Sequence, residues 1–140
     1  MNYTDMIEPL SKKEDVLLKI SSFKPEIIIN DNDLLEIKII NNYGEELLID
    51  IKNEFSLFFG DWHSHYFAYT QEYNCFIDDL LGILENRKYT ICAYKKDKWC
   101  GSMLLEGEVI DYDSIVDDLG EGKTIKCSFW DKSKNYIINL

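Results

Sequence analysis

Phe55-Ser56-Leu57-Phe58-Phe59-Gly60-Asp61-Trp62-His63-Ser64-His65-Tyr66 decides how this chain folds, because it holds both histidines and the densest aromatic cluster. Phe55, Leu57 and Phe59 recur every second residue, the spacing that puts side chains on one face of a strand. If that period runs on through Gly60, His63 and His65 face the core side. A bulge at Gly60 reverses this. The plainer reading is a tight turn at Gly60-Asp61, a buried Trp62, and histidines bonded to backbone or tyrosine hydroxyls between a sheet and a helix.

Upstream, the same period is written repeatedly. Ile27-Ile28-Ile29 is a β-branched run. Leu35, Ile37 and Ile39 alternate with Glu36 and Lys38, and after the turn signal Asn41-Asn42-Tyr43-Gly44, Leu47, Ile49 and Ile51 alternate with Asp50 and Lys52. Downstream the period changes to that of a helix. Tyr73, Phe76, Ile77, Leu80, Leu81 and Leu84 make one broad apolar stripe over residues 69–86, with Thr70 as a candidate N-cap and Glu72, Asp78, Asp79 and Glu85 on the acidic side. Tyr89 to Tyr94 and Trp99 to Leu105 then read as a hairpin around Lys95-Lys96-Asp97-Lys98. Asp111 or Asp113 caps a short helix ending at Gly120, and Lys123 to Trp130 and Lys134 to Leu140 read as last strands.

Before all this, Ser11-Lys12-Lys13-Glu14 fits a capping box for a short helix bearing Val16, Leu17, Ile20 and Phe23, stopped by Pro25. The sum is an α+β fold: an antiparallel sheet of about six to eight strands packed against one main amphipathic helix, with short helices near the N-terminus and in the C-terminal half. We expect a single domain over 1–140, with 1–24 a helical appendage and 25–140 the core.

Its 140 residues suffice to bury roughly two-thirds of the unfolded surface around one core. With 46% hydrophobic and 14% aromatic residues, the chain has the means to do so despite its charge. Cys75, Cys92, Cys100 and Cys127 lie far apart without zinc spacing and read as reduced thiols. Residues 1–10 lack the pattern of a signal peptide and no apolar run is long enough for a membrane span, so the expected location is cytoplasmic and no membrane partner is expected. The net charge of −11 argues against direct nucleic-acid binding, which draws its affinity from Lys and Arg. It suits a basic protein partner, whose encounter an acidic surface speeds.

Two constellations carry candidate chemistry. Asp61, His63 and His65, spaced by two, present one carboxylate and two imidazoles together in an extended segment; with Glu72 or Asp78 from the helix they would make a metal site for a hydrolase. No second histidine cluster exists, so the expectation is no cofactor and no metal. The second is electrostatic. Glu106, Glu108, Asp111, Asp113, Asp117, Asp118 and Glu121 follow one another without an intervening Lys or Arg. Such a run is either a solvated loop and helix end or a docking surface, in which Asp111, Asp113, Asp117 and Asp118, with Asp78 and Asp79, pair with a partner's cations and Trp62 and Tyr66 supply aromatic contact. Ser64 lacks a nucleophile-elbow context, and Gly120-Glu121-Gly122-Lys123-Thr124 lacks the earlier glycine of a phosphate loop, so neither founds an activity.

The run F-F-G-D-W-H-S-H-Y, an acidic helix ending I-L-E-N, the strand pair with W-C-G-S and a late F-W-D-K-S-K together resemble a group of small acidic bacterial proteins. These look like immunity proteins of polymorphic-toxin or contact-dependent growth inhibition systems. The resemblance spans residues 55–136 and brings no catalytic motif. It implies a non-enzymatic protein that neutralises a cognate, basic toxin domain by direct binding. The alternatives are the metal-dependent hydrolase and a structural or regulatory interaction module.

Overall fold

The alternation in residues 26–66 becomes a five-stranded antiparallel meander: β1 (Glu26–Asn30), β2 (Leu35–Ile40), β3 (Glu46–Ile51), β4 (Phe55–Phe59) and β5 (Trp62–Tyr66), paired in that order. This computed structural model describes residues 5–107 and 122–139. The chain divides into two compact units, Met1–Leu81 and Gly82–Leu140. Two α-helices are described, α1 (Lys13–Ile20) and α2 (Thr70–Leu84), and the boundary between units falls inside α2. No helix among the described residues is long and apolar enough to cross a membrane.

In the first unit, Leu35, Ile37, Ile39, Leu47, Ile49, Ile51, Phe55 and Leu57 form a continuous buried sheet face. α2 covers it. Phe76 stacks on Phe55 at 5.2 Å between ring centres, Tyr73 lies 5.0 Å from the same ring, and Tyr66 meets Phe76 edge-on at 5.5 Å. The N-terminal helix is docked through fully buried Val16 and Ile20, and Asp15 accepts a hydrogen bond from the Tyr73 hydroxyl. Lys19 first, then Tyr73, holds the Asp15 carboxyl below the usual carboxylate range. The capping box does not form: Ser11 Oγ donates to the Glu8 carbonyl, and α1 has no side-chain cap. Thr70 is the first residue of α2, and its hydroxyl donates to the Asp5 carbonyl.

The second unit holds β6 (Lys88–Lys95), β7 (Lys98–Glu106), β8 (Thr124–Ser128) and β9 (Tyr136–Asn139), in the order β7-β6-β8-β9. The expected single sheet of six to eight strands is therefore two antiparallel sheets, of five and four strands. Alternation reveals which face of a strand is buried, but says nothing about which strand it pairs with; β6 pairs with β7 and β8, never with β5. Tyr89, Ile91, Ala93, Ile125, Cys127, Phe129 and Ile138 make the core, where Tyr89 stacks on Phe129 at 4.6 Å. Burial pushes the Cys127 thiol up to about 11, so it is an inert packing group.

α2 ends in a Schellman motif. Asn86 takes a left-handed φ of 60°, its N–H bonds the Ile83 carbonyl, and the Arg87 N–H reaches back to Gly82. The Asn86 side chain then accepts from the Asp131 amide at 2.7 Å, tying the helix end to the β8–β9 connection. The expected helix over 111–120 lies outside the described residues.

Candidate partner-binding face

Gly60-Asp61 is a two-residue hairpin turn, with φ of 59° at Gly60 and Phe59 paired directly to Trp62. A positive φ at the first turn residue alone is the type II′ arrangement that suits the twist of flanking strands. Its two residues carry the β4 pattern across into β5: Trp62 and Tyr66 take the helix-covered face, and His63 and His65 take the opposite one. The histidines therefore do not lie between sheet and helix. They stand on the outer face, His65 with 48% of its side chain exposed.

That outer face is ordered in rows across the strands. One row runs Glu26, Lys38, Leu48, Phe58, His63, and the next Glu36, Asp50, Ser56, His65. His63 stacks on Phe58 with 5.8 Å between ring centres, His65 meets Phe58 edge-on at 6.1 Å, and the two imidazoles are 5.4 Å apart. The Ser56 hydroxyl lies 2.8 Å from His65 Nδ1, and Glu54 Oε1 lies 3.1 Å from the same nitrogen. A serine nucleophile relay needs its hydroxyl and its carboxylate on opposite ring nitrogens. Here both converge on one, so the trio orients the imidazole without activating Ser56. Asp61 sits in the turn, and among the described residues no three His, Cys, Asp or Glu side chains converge as metal ligands. Asp61, His63 and His65 are thus neighbours without being a ligand set, and neither Glu72 nor Asp78 completes one.

Electrostatically the two rows differ. Lys38 reaches Glu46 at 3.5 Å and Glu26 at 3.9 Å, which compensates the first row. Glu36 and Asp50 face each other across β2 and β3, neither of them held in an ion pair by a described residue, and Lys52, two residues beyond Asp50, borders the same concavity. Burial, and then the Glu36 charge, hold the Asp50 carboxyl above its usual range. Two shallow concavities open on the first unit, one of about 450 Å³ bordered by Glu46, Leu48 and Phe58, the other of about 380 Å³ bordered by Asp50, Glu54 and Ser56. In the second unit a cleft of about 490 Å³ includes Arg87 and Lys134, but Arg87 is already held by Glu85 at 3.1 Å and Glu106 at 3.6 Å.

The other expected site residues are dispersed. Trp62 and Tyr66 belong to the core, each 5% exposed, and offer a partner almost no surface. Tyr66 donates to Asp79 at 2.5 Å, so Asp79 serves the fold; burial, reinforced by Asp79, lifts the Tyr66 hydroxyl far above the ordinary phenol range. Asp78 is exposed on α2. Asp111, Asp113, Asp117 and Asp118 lie outside the described residues. Missed from the sequence were Glu36, Leu48, Asp50 and Phe58. The signal was present in the β2–β3 loop: once Ile40 is set opposite Glu46, Glu36 must oppose Asp50.

No protein-family model, no curated protein and no solved structure matches this chain. The likeness to immunity proteins therefore rests on the quoted motifs alone.

Proposed function

We propose that this chain is a non-enzymatic binding protein that neutralises a basic protein partner by covering it, in the manner of a bacterial immunity protein against a toxin domain. The observation that carries the reading is the outer face of the five-stranded sheet, where half-buried Leu48 and Phe58 lie beside the opposed carboxylates of Glu36 and Asp50. The net charge of −11 and the acid run from Glu106 to Glu121 support a basic partner, because they raise its encounter rate and let carboxylates occupy a site meant for phosphates. A cytoplasmic site of action accords with four free thiols, which that compartment keeps reduced. No observation favours the metal-dependent hydrolase, since its three candidate ligands do not converge.

The test is to co-express the chain with the product of the adjacent reading frame, purify what associates, and measure association rates across salt. A complex whose association slows as salt rises is the expected result, since charges are screened within about 8 Å at physiological ionic strength. Absence of any complex overturns the immunity reading.

A further inference from the structure

We infer that the partner seats a Lys or Arg between Glu36 and Asp50 and lays an apolar side chain against Leu48 and Phe58, so that the outer face of β2, β3 and β4 is the docking surface. This rests on the reading of a basic partner and names where it binds and with what chemistry. Charge complementarity identifies the occupant. Glu36 and Asp50 are cross-strand neighbours, whose Cβ atoms stand about 5 Å apart, and their repulsion has no relief from any described residue. Lys38 is committed to Glu46 and Glu26 in the adjoining row, and Lys52, which borders the same concavity as Asp50, forms no ion pair with either carboxylate. A cation supplied from outside the chain would relieve the pair. An anionic partner would worsen the repulsion, and a purely apolar one would desolvate both carboxylates without compensation.

The apolar half of the seat is equally specific. Leu48 and Phe58 are paired across β3 and β4, half-buried, with His63 stacked at the far end of their row. Rows on one sheet face are two residues apart along the strand, about 7 Å. The complement is a cation and an apolar group at that same separation, as on alternate residues of an extended segment or adjacent turns of a helix. His65 is held at the edge of the carboxylate row by Ser56 and Glu54, which keeps its ring beside the seat.

The experiment is an amide chemical-shift titration of the isotopically labelled full chain with a short capped peptide repeating Arg-Thr-Leu-Thr, which sets Arg and Leu two residues apart on one face of an extended segment, at low and at physiological salt. Peptides with Glu in place of Arg, and with Ser in place of Leu, are the controls. We expect the Arg-Leu peptide to shift amides at Glu36, Leu48, Asp50 and Phe58, and both controls to bind at least tenfold more weakly. Asp50→Asn and Phe58→Ser should each weaken binding about tenfold, with Glu36→Gln as a second test of the charge. Asp50→Asn must do so without lowering the melting temperature. Shifts confined to the acidic side of α2 around Glu72 and Asp78, or equal binding of the Glu peptide, overturn this seat and leave the basic-partner reading intact. No binding by any peptide overturns the seat as well, and the co-expressed complex then decides the broader reading by itself.

Discussion

The two faces of the five-stranded sheet are built from alternate residues of the same strands, yet they obey different rules. On the inner face Ile49 and its row neighbours Ile37 and Leu57 are fully buried, and β2, β3 and β4 present only apolar groups there. On the outer face Leu48, one residue away, stands between Phe58 and the ion-paired Lys38 in its row, while Glu36 and Asp50 oppose each other in the next. Folding explains the first face completely. It does not explain why two carboxylates are set against each other on the second, where a partner's cation would be felt.

The sharpest way to break this contrast is to put the same charge on both faces of β3. Ile49→Asp should unfold the first unit, because an unpaired buried carboxylate costs several kcal/mol against a total of about 5–15 kcal/mol. Leu80→Asp should do the same from the helix side, since Leu80 is 0% exposed on the stripe of α2. Leu48→Asp should cost only about 1 kcal/mol, the loss of a half-exposed apolar contact plus added repulsion. Urea melts of the three variants decide it, and equal losses for Leu48 and Ile49 would show that the outer face is packed after all.

A smaller effect sits where a polar group crosses into the inner layer. Tyr66→Phe removes the hydrogen bond to Asp79 and leaves that carboxylate with one donor fewer, so we expect a loss of about 1–2 kcal/mol by thermal or chemical denaturation. An unchanged melting temperature would mean that the Asp79 side chain turns to water at no cost.

How much of this was legible beforehand depends on what alternation encodes. The buried faces of β2, β3 and β4 and the stripe of α2 follow directly from the spacing of Leu35, Ile37, Ile39, Leu47, Ile49, Ile51 and Tyr73, Phe76, Leu80. Orientation beyond Gly60 hinges on whether that glycine extends a strand or turns it, and the spacing of Phe55, Leu57 and Phe59 is silent on the point. Strand pairing was not legible either, so two sheets were read as one. Ser56 and His65 are nine residues apart and meet only through the hairpin. Long acid runs such as Asp117-Asp118 draw the eye, whereas Glu36 and Asp50, each alone in its own strand, acquire meaning only through the register that sets them opposite.

Asp50→Asn reverses the usual sign. The Asp50 carboxyl is raised from its ordinary value of 3.8 by burial and by Glu36, so the folded chain holds that proton more tightly than the unfolded chain does. Stability from this group is full below the unfolded value and is lost as pH rises through the raised folded value. At pH 7 the wild type thus carries an unrelieved repulsion, and removing it should stabilise the fold by about 0.5 kcal/mol, toward the low end because the pair is half-exposed and screened. Below pH 3.8 the gain should vanish. A loss of stability at pH 7 would mean that the carboxylate is structural.

The smallest expected effects lie at the two histidines and differ from each other. His65→Ala takes away the hydrogen-bond partner of Ser56, whose residue is only 7% exposed, so the cost should be about 1 kcal/mol, the usual result of stranding a buried hydroxyl. His63→Ala removes only a ring stacked at the solvent edge of Phe58, and its cost should stay within about 0.5 kcal/mol. Glu54→Gln helps to separate the contributions, because it keeps a hydrogen-bond acceptor near His65 while removing the charge; a variant as stable as wild type would show that Ser56, not the ion pair, gives His65 its share. If His63→Ala proved as costly as His65→Ala, the outer face would be a packed layer and the contrast with the inner face would fail at its weakest point. If both proved silent for stability while His63→Ala still weakened the Arg-Leu peptide, the apolar row from Leu48 to His63 would be defined by binding alone.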